Sequence, residues 1–239
     1  MEAIITDFVR RCPVCSSSEF RDYNGRKNAL CTKCGALERG RLSWMILKKL
    51  NLLRPGVRLL NLAPEPFMLF VGSPLLEGSY EAADYDPLLF ARWNKPIRKL
   101  DLCKDLGTLT EGNYDVILHN HVLEHVPCNV VSVLNGLNRA IARRGYHLFS
   151  VPVYAGTTTK EDLNPMLSEA ERCSRFGQKD HMRIFGELDF MNFLEQADMT
   201  KDLVDITNLF EPNELSEAAL PAAVLKSINS DRVFVYRKP

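Results

Sequence analysis

The sequence predicts an α/β chain, a mostly parallel sheet covered by helices, behind a small cysteine-rich front module. Two observations carry this. From residue 57 onward, strand-like and helix-like segments alternate, the pattern of βαβ units. Ahead of them, four of the seven cysteines fall into two CxxC pairs.

In the front module, Cys12-Pro-Val-Cys15 and Cys31-Thr-Lys-Cys34 are two knuckles separated by fifteen residues. Two thiolates on one tight turn reach one ion, and two such turns close a tetrahedron around Zn2+ with no position left for catalysis. Asn24-Gly25 between them is a hairpin-turn signal. So short a segment has too little core to fold unaided, which gives the metal a structural part. Cys103, Cys128 and Cys173 have no such spacing and read as small apolar packing residues.

Residues 36–50 (ALERGRLSWMILKKL) place Leu37, Trp44, Ile46, Leu47 and Leu50 at helical spacing, and Arg54-Pro55-Gly56 ends the helix. The expected organisation is a zinc-binding module over 1–40, a linking helix over 41–56 and one domain over 57–239. Expected strands are 57–62, 80–83, 97–100, 114–118, 145–151, 203–206 and 233–236. Helices are expected over 66–71, 88–93, 128–143 and 187–196. Residues 152–186 form a polar insertion punctuated by glycine and proline, placed to cover a site.

In such sheets ligands bind past the carboxyl ends of the strands. Those positions hold Ala63-Pro64-Glu65, then Asp84-Tyr85-Asp86, then Asp101-Leu102, and then His119 to Pro127. A carboxylate after the second strand suits a ribose diol, and one after the third suits an exocyclic amine. Each acid alone would serve equally as a cap or turn residue. Together they suit a nucleoside-like cofactor lying across the sheet edge. The loop after the first strand lacks glycine, yet small Ala63 permits close approach, Pro64 fixes the turn and Pro66 suits a helix start.

At this point the sequence resembles class I S-adenosylmethionine-dependent methyltransferases. The resemblance rests on Asp115 to Val126 (DVILHNHVLEHV), with AADYDP and LDL at the right intervals before it. It is nearest to a bacterial subgroup with an N-terminal cysteine module and the segments CxxCGxLERHRL, APE and RFGQxDHVRxYG. This chain has CTKCGALERGRL over 31–42, APE over 63–65 and RFGQKDHMRIFG over 175–186. Gly40 and Asn61 stand where the subgroup has histidine.

The resemblance implies a Rossmann-like sheet with an antiparallel final strand and a zinc-ribbon-like front module. It implies S-adenosylmethionine held by Ala63 and Glu65 at the methionine end, Asp84 and Tyr85 at the ribose, Asp101 and Leu102 at the adenine, and Asn120 and His121 beside the sulfonium. His121 and His181 are the candidate proton acceptors, since an unperturbed imidazole titrates near working pH. Asp180, His181 and Arg183 are placed toward the acceptor. Glu124 and His125 suit helix-capping and packing roles equally. Glu65 has a second role open to it at a helix start.

The expected activity is methyl transfer to a small-molecule or glycan-like acceptor at oxygen. A second reading is an RNA methyltransferase whose module grips nucleic acid, since residues 1–50 carry ten Lys/Arg against five Asp/Glu. Net charge of zero over the chain and the absence of aromatic–basic interleaving count against it. A third is a scaffold without catalysis, given the missing glycines. The amino-terminal MEAIITDFVRRC has no signal-peptide core, and no apolar run is long enough to cross a bilayer, so a cytoplasmic protein is expected. That compartment argues against a disulfide framework.

Overall fold

The structure is a computed structural model that describes residues 10–226 and 228–239. The first nine residues of the expected zinc module, and with them most of the segment read for a signal peptide, lie outside the described residues. The chain begins with a hairpin of β1 (Phe20–Tyr23) and β2 (Arg26–Cys31). Helix α1 (Glu38–Lys49) follows, with Gly40 to Leu47 buried without a break.

The central sheet has six strands: β3 (Leu59–Leu62), β4 (Tyr80–Asp84), β5 (Arg98–Lys99), β6 (Tyr114–Asn120), β7 (Ile141–Ser150) and β11 (Phe234–Arg237). Their order is β11-β7-β6-β3-β4-β5, parallel except for β11, which runs antiparallel to β7. The chain winds outward from β3 to β5 and then returns to the other side of β3 with β6. The carboxyl ends of β3 and β6 therefore flank the topological switch point, the place where ligands bind in sheets of this kind.

Both faces of this sheet are covered, so its inner strands are apolar on both sides. Leu59, Val116 and Leu118 share one core with Leu42, Ile46 and Leu47 of α1 and with Cys12 and Cys31 of the front module. Leu60, Leu62 and Ile117 face the other way, onto Val130, Val133, Leu134 and Leu137 of α2 (Val130–Ala140). Asn129 caps that helix by accepting from the Ser132 amide at 2.9 Å.

Four elements differ from the sequence expectation. Helix α2 stops at Ala140, and β7 starts at once with Ile141, because the register against β6 shifts between Tyr114 and Val116 and takes in the extra residues around Arg144. Residues 203–206 form no strand; Leu203 makes a single bridge to Tyr236. Residues 87–93 form a tight 3-10 turn capped by Asp86 rather than an α-helix. The insertion is itself structured, with β8 (Val153–Tyr154), β9 (Lys160–Glu161), α3 (Glu169–Phe176) and β10 (Arg183–Gly186), and β10 lies between the other two strands. Phe176, Phe185 and Phe190 are buried, and the rings of Phe185 and Phe190 meet edge to face, as packing of the insertion against the main core requires.

Cys103 and Cys128 correct the reading of them as separate packing residues: they are joined by a disulfide. It ties the loop after β5 to the residue before the α2 cap. Their separation of 25 residues carries no motif; only the adjacency of two strand-end loops brings them together.

Candidate functional site

The four front cysteines converge. Cys12 Sγ and Cys34 Sγ are 3.6 Å apart, as are Cys15 Sγ and Cys31 Sγ, and all four sulfurs lie within 4.8 Å of one another. Thiolates about 2.3 Å from a tetrahedral Zn2+ lie about 3.8 Å apart, so the donor set fits that ion. Arg41 fastens the module to the rest of the chain. Its buried guanidinium donates to the carbonyls of Ala29 and Ala36 on one side and of Ala218 and Ala219 on the other. Arg26 pairs with buried Glu38 at 3.0 Å. Of the arginines behind the module's basic excess, Arg41 is thus buried and Arg26 is paired with an acid.

The loops at the switch point both turn through left-handed backbone at residues that are not glycine: Ala63 (φ 47°) after β3 and His121 (φ 54°) after β6. The glycine expected in a cofactor loop is replaced by alanine in the same conformation, and backbone held this way by its surroundings is a mark of functional loops. Glu65 follows, half-buried, and accepts from Asn120 Nδ2 at 3.0 Å; Arg39 Nη2 lies 3.6 Å from its other oxygen. Asn120 Oδ1 in turn accepts from Ser150 Oγ at 2.8 Å and from Ser43 Oγ at 3.4 Å. Arg39 Nε is buried without a hydrogen-bond partner.

Gly40 explains one departure from the subgroup. A Cβ there would meet Phe67 at 2.7 Å and Glu65 Oε2 at 3.2 Å, so the glycine lets α1 close onto the loop. Asn61, the other departure, is buried and satisfied: it accepts from the Tyr80 hydroxyl at 2.9 Å and donates to the Leu118 carbonyl at 3.1 Å.

Past β4, Asp84 Oδ1 accepts from the Asp86 amide at 2.7 Å, which fixes the turn, and burial raises its carboxyl above the ordinary range. Tyr85 beside it is largely exposed. Past β5, Asp101 Oδ1 accepts from the Cys103 amide at 2.8 Å and its other oxygen lies 3.4 Å from Lys104 Nζ. Leu102 packs, half-buried, against the core on the α2 side of the sheet.

Past β6 the predicted histidines separate into roles. His121 Nε2 lies 2.9 Å from the Ser230 carbonyl, so that nitrogen carries the proton and donates, while Nδ1 faces Glu124 Oε1 at 3.6 Å. Burial, reinforced by the charge of Arg39, pushes its pKa down to about 3. His181, from the insertion, is buried; its Nδ1 donates to the Phe176 carbonyl at 3.0 Å, leaving Nε2 as a buried lone pair without a partner. That carbonyl is free because α3 ends there: Gly177 adopts the left-handed cap (φ 83°), and the last carbonyls of a helix have no helical donors.

Asp180 is exposed and meets His125 Nδ1 at 3.3 Å. Arg183, expected at the acceptor, is instead fully buried. Its guanidinium pairs with Glu161 at 2.6 Å and donates to the carbonyls of Leu123, Val126 and Cys128. With its donors spent on the 123–128 loop, it shapes the site by holding that loop. Two surface clefts, one lined by Arg144, Asp202 and Arg237 and the other by Arg11, Lys48 and Phe210, share no residue with these strand ends.

Sequence reasoning missed Arg39 and Ser43, which reach the loops only because α1 packs across them. It also left Glu124 as a capping residue. Both Glu124 oxygens are buried with no hydrogen-bond partner, and burial pushes its carboxyl up to about 8.

No protein-family profile and no curated protein matches the sequence. Solved structures do. The fold matches an S-adenosylmethionine-dependent methyltransferase of Mesorhizobium loti at 13% identity, covering 84% of this chain and 100% of that one, with a TM-score of 0.53. It matches a second such protein, from Archaeoglobus fulgidus, at 14% identity, covering 85% and 95%, with a TM-score of 0.50. With β11 antiparallel at the sheet edge, the switch point between β3 and β6 and an added four-cysteine module, the chain has the S-adenosylmethionine-dependent methyltransferase fold.

Proposed function

We propose that the chain is an S-adenosylmethionine-dependent methyltransferase acting at oxygen on a small-molecule or glycan-like acceptor. The observation that carries this is the run of polar groups across the switch point, in the order a nucleoside–amino acid cofactor needs. Asp101 suits the adenine amine with Leu102 against its ring, Asp84 the ribose diol with Tyr85 beside it, and Ala63 permits backbone approach. Glu65 suits the ammonium. Arg39, with a buried donor that has no partner, suits the carboxylate.

When bound, S-adenosylmethionine supplies a methyl group activated by a sulfonium. The chain's own part is to hold the acceptor in line and keep water away, which accounts for most of the rate in such displacements. The insertion suits this part: β10 packs against the Leu123–His125 turn after β6, fastened through Arg183 and through the Met182 amide, which donates to the Glu124 carbonyl at 2.8 Å. A hydroxyl acceptor must also lose a proton. His121 at about 3 is a weak base with both nitrogens occupied or turned inward; burial lowers His181 as well, but its Nε2 keeps a lone pair that no other group uses, which makes it the better candidate in the metal-free chain.

The RNA reading finds less support, because Arg41 is buried with its donors spent on backbone carbonyls and Arg26 is neutralised by Glu38. Calorimetric titration of the zinc-loaded protein with S-adenosylmethionine tests the proposal. Binding is expected, and Asp84→Ala should weaken it about five- to a hundredfold, the cost of about 1 to 3 kcal/mol for unpaired hydroxyls. No binding at millimolar donor would leave the scaffold reading in its place.

A further inference from the structure

We propose that Glu124, His125 and His181 form a second metal site, for a divalent transition ion, at the carboxyl end of β6. One donor atom from each of the three lies within 4.8 Å of the others. Ligands about 2.0 to 2.2 Å from a tetrahedral ion lie about 3.3 to 3.6 Å apart, so modest closure completes the set. The cluster is separate from the four cysteines in sequence and in donor chemistry.

The hydrogen bonding prepares the donors. His181 Nδ1 donates to the Phe176 carbonyl at 3.0 Å, and His125 Nδ1 stands 3.3 Å from both the Asp180 carbonyl and its carboxylate. Each ring therefore keeps its proton on Nδ1 and offers the lone pair of Nε2. Metal-bound histidines are held this way, with the second nitrogen tied to a carbonyl or carboxylate. His125 Nε2 lies 3.9 Å from Glu124 Oε1, and the rings of His125 and His181 meet at 4.7 Å between centroids.

Two observations independent of that clustering point to a ligand. Glu124 is 1% exposed and, among the described residues, neither of its oxygens has a hydrogen-bond partner; His181 is 2% exposed and its Nε2 has none there either. Buried polar atoms are rarely left so, and in this cluster three converge on one point. Outside them, Arg183 holds the carbonyls of Leu123 and Val126 on either side of Glu124 and His125, and Arg172 donates to the His181 carbonyl at 3.2 Å. Supports of that kind fix ligand geometry.

Two imidazoles and one carboxylate select a transition ion over Ca2+ or Mg2+, which take oxygen donors. Three protein ligands leave a position open, and His125, about one-third exposed, provides the side from which an ion enters. With an ion bound, His181 Nε2 is a ligand and no longer a proton acceptor, so an acceptor hydroxyl on that open position would release its proton to water. The oxygen pair would then form the bond to the methyl carbon as the sulfur keeps the pair of the broken bond. This last step rests on the methyltransferase reading; the metal site does not.

The test uses the full chain, loaded with Zn2+ and desalted, with metal counted by elemental analysis and calorimetry with S-adenosylmethionine run alongside. Two zinc ions per chain are expected, falling to one in Glu124→Gln and in His181→Asn. Loaded with Co2+, the wild type should show the bands of a nitrogen- and oxygen-bound ion beside the thiolate charge-transfer bands, and the variants the latter only. Should His181→Asn fail to fold, Glu124→Gln, which exchanges one oxygen for an amide, stands on its own. A single ion in the wild type, or two in both variants, overturns the site even where the donor binds. Two ions with no donor binding uphold the site and remove the methyl-transfer step.

Discussion

Asn120 joins the two loops of the switch point: its Nδ2 donates to Glu65 Oε2 at 3.0 Å, so the end of β6 holds the carboxylate that follows β3. Glu65 also faces Arg39 of α1 at 3.6 Å. Opposite charges placed side by side at the edge of a crevice suit the two charges of an amino acid.

The first prediction separates charge from geometry. Glu65→Gln keeps an oxygen for Asn120 but removes the negative charge, and Arg39→Ala removes the positive one. Each should weaken S-adenosylmethionine binding by about 1.5 to 3 kcal/mol, roughly ten- to a hundredfold, as for hydrogen bonds to charged groups. Calorimetry reads this directly. Unchanged affinity in Glu65→Gln would leave that residue only its contact with Asn120.

The second concerns the front module. Cys12 and Cys31 share a core with α1 and the sheet, and α1 carries Arg39 to the site. Cys12→Ser, which removes one thiolate of the four-cysteine set and leaves Glu124, His125 and His181 untouched, should therefore lower the melting temperature and weaken donor binding together. Loss of zinc with both properties intact would show that the module is dispensable for the site.

The third concerns the Cys103–Cys128 bond, which closes a loop of 25 residues. In the chain-entropy account such a crosslink contributes about 3.5 kcal/mol by restricting the unfolded chain. Cys103→Ser with Cys128→Ser should lower stability by about that amount in a denaturant titration, with the parallel sheet preserved. A midpoint unmoved by the double substitution would mean that the bond adds nothing to the native state.

Much of this was legible in the sequence, for reasons that differ by element. The CxxC pairs are read by spacing because one ion needs two tight turns. The strands β3 and β6 are read by composition, because a sheet buried on both faces needs apolar runs such as Leu59–Leu62 and Val116–Leu118. The strands of the insertion are two to four residues long and include the polar pair Lys160–Glu161, too short to show a period. Arg183 reads as a free cation because nothing local marks it as buried; its partners at Leu123, Val126 and Cys128 lie 55 to 60 residues away. Arg39 and Glu124 were missed for the same reason, since their environment is set by packing between distant segments.

The last prediction follows from His119 and His147, both fully buried, with their Nε2 atoms 2.9 Å apart. His147 Nδ1 lies 2.8 Å from Asn138 Oδ1 and donates to it, so His147 Nε2 accepts from His119 Nε2–H. A proton added to His147 Nε2 breaks this hydrogen bond, and one added to His119 Nδ1 finds no acceptor; either places a charge in an apolar core. Burial accordingly lowers His119 to about 3 and His147 well below its ordinary value. Since the unfolded rings bind protons near pH 6.5 and the folded ones do not, this contribution to stability is complete above pH 6.5 and is lost as pH falls toward 3. Each ring should contribute a slope approaching 1.4 kcal/mol per pH unit below about pH 6. The comparison that isolates the pair is wild type against the His119→Gln, His147→Gln double variant, in denaturant titrations at pH 7, 6 and 5. The acid loss should be steeper in the wild type, by about 4 kcal/mol in all between pH 7 and pH 5. Parallel curves would show that the rings are protonated in the folded protein and that His119 does not donate to a neutral His147.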